Sequence, residues 1–271
     1  MRAAALAAIC AASCGGTIGD GGRHPDAHVR ASSAERPVLG LQPGESMTFE
    51  VKVGGILAGE AALAVGQPGV IDGHRAIEVR SRIATAGAFA LLKKVSDEAT
   101  TIIATDTATP IAMSSDVTMN GIDYHADVAF KGPAIEVTST RSDGKGVQHD
   151  RFTFGAIVAH DTHSAMASMR GWDPTPGTHR TLWVMGGKRI WKSEVTFGGR
   201  ETIGTQLGNR AAIRIDGFAW RAHNDLTVDD SKPPREFSVW LSDDADRVPL
   251  RVVAKTELGD LVIELTDYQR P

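Results

Sequence analysis

The chain is poor in cysteine: 2 in 271 residues, and both, Cys10 and Cys14, lie close to its N-terminus. The rest of the sequence therefore offers no four-cysteine zinc site, thioredoxin-like pair, cysteine nucleophile or disulfide framework. A charge excess of either sign is also missing, since 29 Lys+Arg stand against 33 Asp+Glu for a net charge of −4. Nucleic-acid binding needs clustered basic side chains, so no nucleic-acid partner is expected. No apolar run approaches the roughly 20 residues of a membrane-crossing helix. Aromatic residues make up only 6% of the chain, with 2 Tyr, and it closes on Gln269-Arg270-Pro271. Strands without aromatic girdles, charged on one face, do not predict a transmembrane barrel. There is no HExxH, no Gly-x-Ser-x-Gly and no repeat of solenoid or propeller type. What is present is an ordinary apolar share of 42%, enough for a core, with 29 Gly and 12 Pro to punctuate it.

The first fourteen residues, MRAAALAAICAASC, place Arg2 ahead of the apolar run Ala3 to Ala12, with small residues leading into Cys14. That layout predicts a secretory signal over 1–14. Ala11-Ala12-Ser13-Cys14 resembles a lipoprotein signal box, with Cys14 as the lipidated residue and membrane anchor. An ordinary export signal is the alternative. Residues 15–40 are rich in Gly, His, Asp, Ser and Ala without apolar periodicity, and read as a flexible tether. His24 and His28 within it read as solvated polar residues.

From Pro43 onward, alternating segments are separated by turn dipeptides. In Ser46–Val53, Met47, Phe49, Val51 and Val53 share one face. Gly54-Gly55 then reads as a tight hairpin turn, and Asp72-Gly73, Asn120-Gly121, Asp143-Gly144, Gly186-Gly187 and Gly198-Gly199 repeat the signal. The turns are too closely spaced for βαβ crossovers. Two segments have helical rather than strand character, Ala86–Val95 and Asp161–Arg170, the second with a capping residue first and Gly171 after its end. The expected fold is mainly all-β, a curved antiparallel sheet or barrel-like sandwich of about ten to twelve strands with two short helices. It forms a single domain over 41–271, although Trp172–Gly177 offers a point to divide two half-sheets.

Three stretches resemble an exported bacterial family, the domain of unknown function numbered thirty-one-oh-eight. Leu41-Gln42-Pro43-Gly44-Glu45, Phe49-Glu50-Val51 and Gly59-Glu60-Ala61 are similar to its opening. Asp161, Ser164 and Arg170 are similar to its middle helix, although Met166 and Met169 stand where aromatic residues are usual. Trp240-Leu241-Ser242-Asp243-Asp244, followed by Arg247-Val248-Pro249, Lys255 and Gly259, is similar to its close. The resemblance spans about Leu41 to Tyr268. It implies export and a β-rich fold, and it supplies no catalytic residue.

The densest cluster of reactive side chains is His160-Asp161-Thr162-His163-Ser164. One reading makes it a hydrolase site, with Ser164 as nucleophile and a histidine as base. The other makes Asp161 a helix cap, Ser164 its partner, and Arg170 the partner of a carboxylate on the sheet. The second reading is preferred, because residues three and four apart share a helix face without a third group to complete a triad. Asp243-Asp244-Ala245-Asp246 suits a polar hairpin tip better than a Ca²⁺ site. Trp183 and Trp191 flank Gly186-Gly187 and are placed to stack across one hairpin. With Met166 and Met169 they suggest an apolar ligand groove closed by the helix, against the plainer reading of an ordinary filled core.

These residues predict no metal, no cofactor and no catalysis. The expected protein is an outer-membrane lipoprotein facing the periplasm. It is held to the membrane by a lipid at Cys14 and binds an apolar envelope component, or else a protein partner as an assembly factor with a filled core.

Overall fold

The computed structural model describes residues 39–271 apart from 93, 133 and 156. Cys14 and the tether up to residue 38 lie outside the described residues. Leu39 packs against the core and Gly40 donates its N–H to the Ala167 carbonyl, so these two residues of the expected tether are packed onto the domain.

The strands follow in chain order as β1 (Ser46–Val53), β2 (Ile56–Val65), β3 (Gly69–Ile71), β4 (His74–Thr85), β5 (Val95–Ala104), β6 (Pro110–Met119), β7 (Ile122–Lys131), β8 (Ala134–Asp143) and β9 (Gly146–Phe154). After them come β10 (His160–Asp161), β11 (His179–Gly186), β12 (Arg189–Thr205), β13 (Gly208–Arg221), β14 (Arg235–Ser242), β15 (Pro249–Thr256) and β16 (Gly259–Gln269). Helix α1 (Gly87–Leu92) separates β4 from β5, and α2 (Thr162–Gly171) separates β10 from β11. The fold class is as expected, and the strand count is higher, sixteen among the described residues. β3 and β10 are too short, at three and two residues, to show a period of their own.

Gly54 and Gly55 adopt the left-handed conformations that their hairpin requires, and Met47, Phe49 and Val51 turn inward as the alternation predicts. Gly198-Gly199 is not a turn. β12 runs through it to Thr205, and the pair forms a bulge opposite the long strand β13, where the register slips between Phe197 and Gly199. The pair answers a bulge rather than a turn because Gly199 sits at φ +128 and a Cβ on Gly198 would stand 2.9 Å from Asp216 Oδ2. Likewise α1 is shorter than Ala86–Val95, because Val95 already pairs with Met119 as the first residue of β5.

The sheet is two antiparallel meanders, β1–β9 and β11–β16, joined where β16 pairs with β1, with β10 added in parallel beside β11. Trp172–Gly177 lies between the two meanders in the chain, leading from α2 into β11, although the halves form one continuous sheet. The path of fifteen strands starts at β10 and ends at β9. Laid flat, its edges would be roughly 65 Å apart. Yet β9 and β10 are consecutive in the chain, linked by residues 155–159, a span of roughly 20 Å at most. The sheet must therefore roll up to bring its two edges together, which makes the molecule barrel-like with no ladder closing it among the described residues.

Two cores follow from the roll. The larger fills the inner face with Phe49, Leu63, Ile77, Ile103, Phe197, Ile213, Leu241 and Ile263, and includes Met166 and Met169 from α2. In the smaller, the inner face of β6–β9, through Met113, Val128, Ile135, Val137 and Phe154, meets Met185 and Ile190 on the opposite face of the β11–β12 hairpin. One edge of the sheet is thus tucked inside the other.

Candidate functional site

Helix α2 begins because Asp161 caps it. Asp161 Oδ1 accepts from the Ser164 N–H at 3.1 Å and Oδ2 from the His163 N–H at 3.1 Å, while Ser164 Oγ accepts in return from the Asp161 N–H at 3.0 Å. This is the reciprocal capping box expected of the sequence. Ser164 Oγ also donates to Asp161 Oδ1 at 2.6 Å and is fully buried. His160 Nδ1 lies 3.3 Å from the same hydroxyl.

His163 turns away from Ser164 toward the sheet. Its Nδ1 is 2.8 Å from Thr101 Oγ1 on β5, and its Nε2 is 2.8 Å from Ser81 Oγ on β4. Thr101 Oγ1 donates to Asp161 Oδ2 at 2.5 Å, and that oxygen is 3.6 Å from His163 Nδ1. Thr101, Asp161 and His163 are all buried, whereas Ser81 is half-buried. Burial lowers the pKa of both His160 and His163, against the weaker upward pull of Asp161. No sequence pattern ties Ser81 or Thr101 to the helix, since they lie 82 and 62 residues from His163.

The far end of α2 is held by a second network. Arg170 and Glu45, both with fully buried side chains, form a two-pronged ion pair at 2.6 and 2.9 Å. Glu45 also accepts from Tyr268 Oη at 3.1 Å and from the Gln42 N–H at 3.1 Å. Burial first, and then the Glu45 charge, push the Tyr268 hydroxyl up to about 12. Arg170 reaches the Asp246 carbonyl at 2.9 Å, and Arg247 donates to the carbonyls of Arg170 and Trp172. The hairpin tip is therefore a clamp on the helix. Asp244 Oδ1 shapes it by accepting from Ser242 Oγ and from the N–H groups of Asp246 and Arg247. Asp243 pairs with Arg200 at 3.0 Å, and Trp240 donates to Glu201 at 2.6 Å.

Met166, Met169 and Trp191 share the larger core, at 4%, 1% and 2% exposure. Trp183 does not join them. The register pairs Trp183 with Lys192 and Val184 with Trp191, so the two tryptophans lie on opposite faces and do not stack. The turn centres on Gly187-Lys188 rather than Gly186-Gly187, but either two-residue turn pairs Trp183 with a chain neighbour of Trp191, so the two rings fall on opposite faces. Trp183 packs instead on the smaller core.

A different feature crosses the inner face beyond the N-terminus of α2. Direct pairing aligns Ser81, Ala99, Ser115, Ala126 and Ser139 in one row across β4 to β8. The next row outward is Ile83, Asp97, Val117, Tyr124 and Arg141, and beyond it stand Met119 and Ile122. A row of small side chains thus runs across the strands between the core and a row of larger ones. Val117, Met119, Ile122, Tyr124, Asp97 and Arg141 in that outer row are half-buried. Burial, aided by the Asp116 charge, raises Asp97 to about 7. Ser81, with its bond to His163, stands at one end of the row of small residues.

A family model described as a protein of unknown function (DUF3108) matches residues 48–266. No curated protein matches the chain. Among solved structures, the chain is similar to a β-barrel-like protein of domain of unknown function DUF1849 from Brucella abortus, with 9% identity and a TM-score of 0.57 over 87% of this chain and 98% of that one. A protein from Bacteroides fragilis, named as exported with a YmcC-like fold, has 10% identity and a TM-score of 0.38 over 87% of this chain and 100% of that one. A protein from Parabacteroides distasonis, named as a lipoprotein, has 9% identity and a TM-score of 0.36 over 88% and 100%. The Brucella likeness is one of fold alone.

Proposed function

We propose a function for a chain that belongs to the DUF3108 family: it is an exported envelope lipoprotein, anchored through Cys14, whose rolled sheet binds an acyl-bearing envelope molecule in the groove along Ser81, Ala99, Ser115, Ala126 and Ser139. The carrying observation is that row of small residues beneath the half-buried rim of Val117, Met119, Ile122 and Tyr124. Five strands spaced roughly 4.8 Å apart give it the length of a long hydrocarbon chain. Met166 and Met169 play no part in it, since they fill the core. Apolar rim side chains beside a few polar groups are the usual make-up of a small-molecule site.

The test is fluorescence titration of the full chain with a dansyl-labelled fatty acid. Val117→Asp, which puts a charge on the rim, and Ala99→Leu, which fills the floor, are expected to weaken binding about tenfold, equivalent to about 1.4 kcal/mol. Met166→Leu is expected to leave it unchanged. Equal affinity in all four proteins would remove the groove as the site.

A further inference from the structure

We infer that Ser81 is an activated nucleophile for acyl transfer, with His163 as its base and with Thr101 and Asp161 as positioning residues. The inference rests on the groove reading, because the groove is what would deliver the acyl group, and it names the ligand class as an acyl ester. Asp161 receives two main-chain N–H groups and the hydroxyls of Ser164 and Thr101, so it acts as an acceptor throughout. Thr101 has one hydroxyl proton, and it points at Asp161 Oδ2. Toward His163 it therefore presents only lone pairs, so its 2.8 Å contact must be a hydrogen bond donated by His163 Nδ1. The proton on Nδ1 leaves Nε2 with a free lone pair, 2.8 Å from Ser81 Oγ. Serine hydroxyl, imidazole and carboxylate thus stand in the order and protonation state of a catalytic triad, with one threonine inserted between the last two. Burial, which holds the imidazole neutral, keeps the base in its reactive form.

Access follows the same order. Thr101, His163 and Asp161 are closed off, and Ser81 is the half-buried member, placed on the inner face beside Ala99 at the end of the groove. In the step, Ser81 Oγ bonds to the ester carbonyl carbon while the bond from that carbon to the alcohol oxygen breaks. The Ser81 proton passes to His163 Nε2 and from there to the departing alcohol oxygen, which keeps the bonding electron pair. Water, deprotonated by the same nitrogen, then attacks the acyl-serine, frees the carboxylic acid and restores Ser81. Ester and water become acid and alcohol, with no other reactant.

The experiment treats the full chain with a long-chain alkyl fluorophosphonate and maps the adduct by peptide mass spectrometry. The adduct is expected on Ser81, absent in Ser81→Ala and slowed about 100-fold or more in His163→Gln, the usual worth of a general base. Thr101→Val is expected to slow labelling and Thr101→Ser to restore it, a rescue that a mere packing role would not give. Ser81→Ala removes one half-buried hydroxyl and leaves the Thr101 anchor in place, so its folding, followed by circular dichroism, controls for the others. An adduct elsewhere, or none while the dansyl fatty acid still binds, overturns the inference and leaves the groove standing. Loss of both adduct and binding in the wild-type chain overturns the two together.

Discussion

At the scale of single residues, α2 is tied down at both ends by buried polar groups, and their consequences differ. Arg170 and Glu45 are each other's charge partner in a site with no exposure. Arg170→Met is expected to cost about 3–5 kcal/mol in chemical denaturation, because it leaves a carboxylate buried without a counter-charge. The double change with Glu45→Met should recover most of the loss. Asp97 and His163 give opposite pH dependences. The raised pKa of Asp97, about 7, means that its contribution to stability falls as pH rises from about 4 to 7. Asp97→Asn should therefore stabilise the protein by about 1–3 kcal/mol at pH 8 and change little at pH 4. The lowered pKa of His163 acts the other way: its contribution is complete above about 6.5 and is lost as pH falls below that value toward the folded pKa. Thermal melts of the wild type, Asp97→Asn and His163→Gln across pH 4–8 separate the effects. Of these residues the sequence exposed Asp161, Ser164 and Arg170, because capping is a local pattern. Glu45, Thr101 and Ser81 were invisible beside them, since 125, 60 and 82 residues of chain separate the partners.

At the scale of elements, strand positions were legible wherever a glycine-bearing turn bounded an alternating run. β1 follows its sequence bounds to the residue. Face assignment was less legible. Trp183 and Trp191 flank a Gly-Gly pair, but at three and four residues from it they fall on opposite faces across a two-residue turn. Glycine within a strand also serves packing. A Cβ on Gly217 would lie 2.4 Å from the Phe237 ring, its direct cross-strand neighbour. Gly217→Ala is expected to destabilise by about 1–3 kcal/mol through that overlap, read as a lowered denaturant midpoint. Ser164→Ala should cost about 1 kcal/mol by opening the capping box. It should still allow fluorophosphonate labelling of Ser81, an outcome that distinguishes the two serines near His163. If labelling vanished in Ser164→Ala while the helix persisted by circular dichroism, the assignment of Ser81 would be wrong.

At the scale of the molecule, the roll of the sheet places the groove. A mainly antiparallel meander was readable from turn spacing, but its closure was not. Closure depends on β10, two residues long, starting the opposite edge of the sheet only five residues after β9 ends. The roll packs the outer face of the β11–β12 hairpin into the inner face of β6–β9 and leaves the strip along Ser81 to Ser139 between that contact and the rim. Anchoring belongs to the same scale. A labelled fatty acid fed to cells is expected to be incorporated into the chain and lost in Cys14→Ser. The most direct test of the whole account is lipid mass spectrometry on the full chain purified from its own cell envelope. Beyond the covalent lipid on Cys14, the account predicts about one non-covalently bound acyl-bearing molecule per chain in the wild type, as a single groove allows, and its depletion in Val117→Asp. A wild-type chain free of non-covalently bound acyl-bearing molecules, or a Val117→Asp chain that holds as many of them, would contradict it.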